Sequence, residues 1–105
     1  MKDYDVNSES PEPGLEVFTL EFVQDRKGEL PQVQESLETG SHDILHEMTH
    51  KWIGFSKPYG FDWLAEAASE LKNLARSGDV EDAKGVIKQI SCYLDDKETF
   101  IKNNY

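Results

Sequence analysis

From Leu15 onward, apolar residues recur at intervals of three and four, and no alternating polar–apolar run long enough for a strand interrupts them. Leu15, Phe18, Phe22, Leu30, Val33 and Leu37 mark the inner stripe of a first long helix, with one wider gap. Pro31 lacks an amide proton and crowds the preceding turn, so the first helix is predicted to kink or break near Gly28–Pro31. Thr39, Gly40 and Ser41 end it, with Ser41 placed to cap the next helix and Asp43 suited to its positive end. In that second helix Ile44, Leu45, Met48, Trp52 and Phe55 form the expected inward face. "SKPYG" then interrupts, with Pro58 expected in a first turn. Phe61, Leu64, Ala67, Ala68, Leu71, Leu74 and Ala75 carry a third helix as far as "SGD". There Gly78 suits a left-handed C-terminal position, and Asp79 an N-cap with Asp82 at the capping-box position. Ala83, Val86, Ile87, Ile90 and Leu94 place a fourth helix between Val80 and Phe100. The fold class expected is all-α, an antiparallel four-helix bundle.

Residues 1–14 differ in character: Pro11, Pro13, Gly14, several Ser and Asn, and mostly acidic charge. Such a composition buries little apolar surface, so this lead is expected to be an acidic linker or frayed tail joining the domain to a preceding one, with residues 15–105 as the bundle. The whole chain of 105 residues suits one domain. Its 21 acidic and 11 scattered basic residues give a net charge of −10, which argues against nucleic acid and anionic membrane as partners. No run of apolar residues is long enough to span a bilayer. The single cysteine, Cys92, makes no internal disulfide, which fits a reducing, cytoplasmic setting. No sustained heptad appears, so a monomer is expected.

Candidate chemistry concentrates in "HDILHEMTHKWIG", which holds His42, His46 and His50. At about 100° per residue, His50 lies about 200° from both Met48 and Trp52, so it faces away from the core. Gly54 follows one turn later on the same side, where a glycine costs about 0.5–1 kcal/mol relative to alanine. A bare patch beside an exposed ring is what a docking partner needs for close approach, and Lys57, about two turns on, brings positive charge toward an anion held there. An imidazole, with an ordinary pKa of about 6.5, is a competent nucleophile at neutral pH and can carry a phosphoryl group on nitrogen. His42 and His46 follow the same side of the helix and read as solvated, with His46 a candidate for tuning.

The segment "HKWIGFSKPYG", His50–Gly60, resembles the core motif of histidine-containing phosphotransfer (HPt) domains. In that family the phosphorylated histidine is followed at the fourth position by glycine, then by small residues, and at the tenth by another glycine. His50, Gly54, Ser56 and Gly60 occupy those positions. "LAEAASELKNLARSGDVEDAKGVIKQI" is similar to the family's third and fourth helices and the Gly-Asp turn between them, and the likeness extends over about residues 15 to 100. The resemblance implies a phosphorelay intermediate that accepts a phosphoryl group on His50 from an aspartate of a response-regulator receiver domain and passes it to another. It also implies a module of a hybrid sensor histidine kinase, with neither an ATP site nor a cofactor of its own. One departure is plain: where many members carry lysine three residues after the histidine, this chain has Ile53, which leaves Lys51 or Lys57 to supply the charge. Phe55 also replaces a usually small residue.

Two other readings compete. HEMTH spells H-E-x-x-H, in which His46 and His50 would bind zinc, Glu47 would act as general base and Glu66 would supply a third ligand. Against it, the span from His50 to Glu66 is short for such enzymes and no sheet is available to bind an extended substrate. The third reading is a helical interaction domain without phosphate chemistry. An apolar docking patch near His50 draws its candidates from Ile53, Phe55, Tyr59 and Phe61.

Overall fold

A computed structural model describes residues 3–105. The chain forms α1 (Thr19–Thr39), α2 (His42–Phe55), α3 (Asp62–Arg76) and α4 (Val80–Asn104), with single 3-10 turns at Val6–Ser8 and Glu16–Phe18. There is no strand among the described residues. Each helix packs mainly on two others, in the cycle α1–α2–α3–α4 and back to α1, which is the expected four-helix bundle. Its core runs from Val23, Val33 and Leu37 through Leu45 and Trp52 to Leu71, Ile90 and Leu94, all buried.

The irregularity foreseen for the first helical region lies at its entry, where the 3-10 turn Glu16–Phe18 precedes α1. Across Gly28 and Pro31 the helix continues. Pro31 is exposed, and the helix forgoes there the bond that its missing amide would have made. The turn Thr39–Ser41 forms as read, with Gly40 left-handed at φ 75. The start of α2 is capped differently: Ser41 makes no side-chain cap, and the Ser36 hydroxyl on α1 instead bonds to the Ser41 carbonyl and accepts from Leu45 N–H (3.2 Å). Pro58 belongs to the connecting turn, because α3 starts only at Asp62. At the other end Gly78 is left-handed (φ 75) and Asp79 caps α4 through Asp82 N–H, as expected.

The inward face of α2 is rotated from the predicted one. Leu45, Thr49, Trp52 and Ser56 point inward at spacings of four, three and four, whereas Ile44 (46% exposed) and Phe55 (58%) lie outside. Thr49 fits the interior because its hydroxyl donates to Leu45 O within the helix (2.8 Å). Phe18, predicted to point inward, is likewise half-exposed, and Val23 takes a core place instead.

Of the lead expected to be a linker or frayed tail, the stretch from Tyr4 to Glu12 lies against the bundle, while Met1 and Lys2 fall outside the described residues. Asp5 caps the turn Val6–Ser8 by accepting from Asn7 N–H. Tyr4 stacks edge-on against Trp63 and Tyr93, with ring centroids 5.1 Å apart in each case, and its hydroxyl donates to Asp96 (2.6 Å). Glu9 is buried. Its carboxylate accepts from Trp63 N–H (2.8 Å), Tyr93 Oη (2.7 Å) and Lys97 Nζ (2.8 Å). A carboxylate with three such donors offsets the desolvation that composition alone would count against it. Burial, and then the neighbouring Glu9, push the Tyr93 phenol well above its usual range.

Candidate functional site

α2 presents two flanks. Because Thr49 and Trp52 are buried, the intervening His50 is turned outward and exposed, with no hydrogen-bond or ion-pair partner among the described residues. Gly54, one turn on, is also exposed, and a methyl group added there would meet nothing within 4 Å. The ring and the bare stretch of helix thus form one open surface. His46 shares it, exposed, while His42 is half-buried.

The two candidate lysines have different surroundings. Lys51 lies on the α1 side, with Nζ 3.9 Å from Glu29. Glu29 also accepts from the Trp52 indole (2.8 Å) and from Arg26 Nε (2.6 Å), so one carboxylate ties α1 to the helix that carries His50. Lys57 is exposed and without an ion-pair partner among the described residues. Ile53, three residues after His50, is half-buried and packed on the core.

Of the four docking candidates, Phe61 is fully buried, Ile53 and Tyr59 are half-buried, and only Phe55 is well exposed. Phe55 and Lys51 line a groove of about 480 Å³ between α1 and α2. On its floor Tyr59 stacks on Phe22 (4.5 Å), and the Arg26 guanidinium lies over the same Phe22 ring (4.5 Å).

The H-E-x-x-H spelling gathers no further ligand. Among the described residues no group of three or more His, Cys, Asp or Glu comes together to hold a metal, so Glu66 does not join His46 and His50. Glu47 and Glu66 are exposed on their separate helices.

Three features escaped the sequence reading: the Glu9–Lys97 pair, the Glu29–Trp52 contact, and the burial of Ser56, whose hydroxyl has no hydrogen-bond partner among the described residues. Lys97 had a signal, since it continues the α4 stripe Ile90, Leu94, Lys97, Ile101. Compared with known protein families, characterised proteins and solved structures, the chain matches none.

Proposed function

We propose that this domain is a phosphorelay intermediate with His50 as phosphoacceptor, working between response-regulator receiver domains in the cytoplasm as a module of a hybrid histidine kinase. The observation that carries the reading is the solvent-open imidazole of His50 beside the unobstructed Gly54 on a helix of a four-helix bundle. The motif of His50, Gly54, Ser56 and Gly60 agrees with it.

In the proposed step a receiver carrying a phosphorylated aspartate docks over the outer side of α2. One imidazole nitrogen donates its lone pair to phosphorus as the bond from phosphorus to the aspartyl oxygen breaks, and that electron pair leaves with the carboxylate. The proton on the other ring nitrogen stays in place, and the reverse sequence delivers the group to a second receiver. The domain contributes position and charge compensation. It needs no nucleotide of its own, and Phe55 with the adjoining groove offers the receiver an apolar foothold.

The test is transfer of radiolabel from a phosphorylated receiver to the wild-type chain and to His50→Gln. The wild type should acquire acid-labile label, insensitive to chelator. The variant should acquire none while keeping its helicity, because an outward side chain contributes little packing. Label on the variant would refute the assignment.

A further inference from the structure

The lead and the turn that follows α2 are joined at three points. Glu12 N–H donates to Pro58 O (2.8 Å). Lys97, only 3% exposed, donates both to Glu9 and to the Gly60 carbonyl (2.7 Å). Gly60 itself, left-handed at φ 84, lies so close to the lead that a Cβ there would sit 2.6 Å from Pro11 N and from Ser10 C. Two further bonds, Gly60 N–H to Lys57 O and Phe61 N–H to Ser56 O, close the turn.

Lys57 sits in that turn. Ser56 still has helical dihedrals (φ −69, ψ −40), so helical geometry carries on as far as Lys57. It therefore lies within about 20° of the His50 direction and about 10.5 Å further along the axis. Lys51 lies toward Glu29, with Nζ 3.9 Å from its carboxylate, and Ile53 has no charge to offer. A phosphoryl group would add roughly −1.5 to −2 charges to a chain already at −10. The long lysine side chain can bring its ammonium back toward the ring, within one screening length of about 8–10 Å, where it relieves that repulsion, and it does so best when its backbone is fixed.

We infer that Glu9 is a positioning residue: by docking the lead it fixes the turn Ser56–Gly60, and through it Lys57, whose charge compensates the phosphoryl group on His50. This rests on His50 being the phosphoacceptor. The lead thereby becomes part of the transfer machinery, although it makes no contact with the reacting atoms.

The experiment compares four full-length chains: wild type, Glu9→Gln, Lys57→Met and the double variant. For each, the transfer rate at saturating phosphorylated receiver and the half-saturating concentration are measured, with hydrogen exchange reporting whether residues 5–12 stay docked. Glu9→Gln and Lys57→Met should each slow saturated transfer about five- to tenfold, the scale of one partly screened charge contact. Half-saturation should not change, and the double variant should be no slower than Lys57→Met alone. Because Glu9→Gln leaves Lys97 buried without its partner, a further variant, Glu9→Gln with Lys97→Met, removes that charge as well and should show the same slowing with helicity intact. Rate losses that multiply in the double variant, or wild-type transfer from a chain whose lead is released, overturn the inference alone. A wild-type chain that takes no label at His50 overturns the underlying reading and this inference with it.

Discussion

α2 and α3 are neighbours of nearly equal length with unequal commitment to the core. α3 buries seven of its 15 residues, four of them alanines that let adjacent helices approach closely. α2 buries three of 14, Leu45, Thr49 and Trp52, and leaves Ile44 and Phe55 in solvent. A helix held by a few large anchors has its outer surface free for other uses. The contrast also makes α2 vulnerable, since Trp52 is the largest of the three buried residues that attach it. That residue is 1% exposed and donates its indole N–H to Glu29.

Breaking the main anchor should therefore have the largest effect. Trp52→Ala removes a buried aromatic and leaves the Glu29 carboxylate one donor short. The expected loss is about 3–5 kcal/mol, read from urea denaturation. A loss below about 1 kcal/mol would mean that α2 is held by something other than this contact.

The same contrast explains which parts of the fold were legible in the sequence. Every residue named for the α4 stripe is buried, as are all but Leu74 of those named for α3, because apolar side chains there coincide with buried positions; Trp63, Ala65, Tyr93, Lys97 and Ile101 are buried besides. On α2 the rule failed. Thr49 and Ser56 took core places while Ile44 and Phe55 did not, and a polar residue at a core position is invisible to a hydrophobicity count. His50 was nonetheless placed outward correctly, since a rotation of the stripe by one residue leaves it far from the core in either register. The lead was misjudged for a related reason. Its composition predicts no core of its own, and its docking depends on a carboxylate meeting Lys97 and Tyr93, which lie 88 and 84 residues further along the chain. The Glu29–Trp52 contact was hidden in the same way, by a separation of 23 residues.

Two glycines of the candidate motif sharpen the comparison, because substitutions at them should act in opposite directions. Gly60→Ala forces a Cβ against the backbone of Ser10 and Pro11 at a left-handed φ of 84. It should destabilise by about 1–3 kcal/mol and raise hydrogen exchange in the lead. Gly54→Ala meets open space within a helix, so it should stabilise by about 0.5–1 kcal/mol. If a partner docks over Gly54, the same change should also slow phosphotransfer. A stabilised chain with undiminished transfer would show that the bare patch is not used.

The smallest expected effect concerns the far end of the lead, where Tyr4 closes over Trp63 and Tyr93. The Tyr4 phenol is pushed up to about 12, chiefly because its hydroxyl donates to Asp96, with burial adding to the shift. The proton is therefore held more tightly in the docked state than in a free chain, whose tyrosine titrates near 10. It follows that the Tyr4 contribution is fully present below about pH 10 and is lost as pH rises through about 12. Because Tyr4 is only half-buried, the consequence should be local: loosening of residues 4–9 while the helices persist. Tyrosinate absorbance of the full chain against Tyr4→Phe isolates this group, since Tyr93 is pushed up further still by burial. A Tyr4 that ionises at its ordinary value would show that the first residues of the lead are not held by Asp96 in solution, and would confine the docked strap to the segment from Glu9 onward.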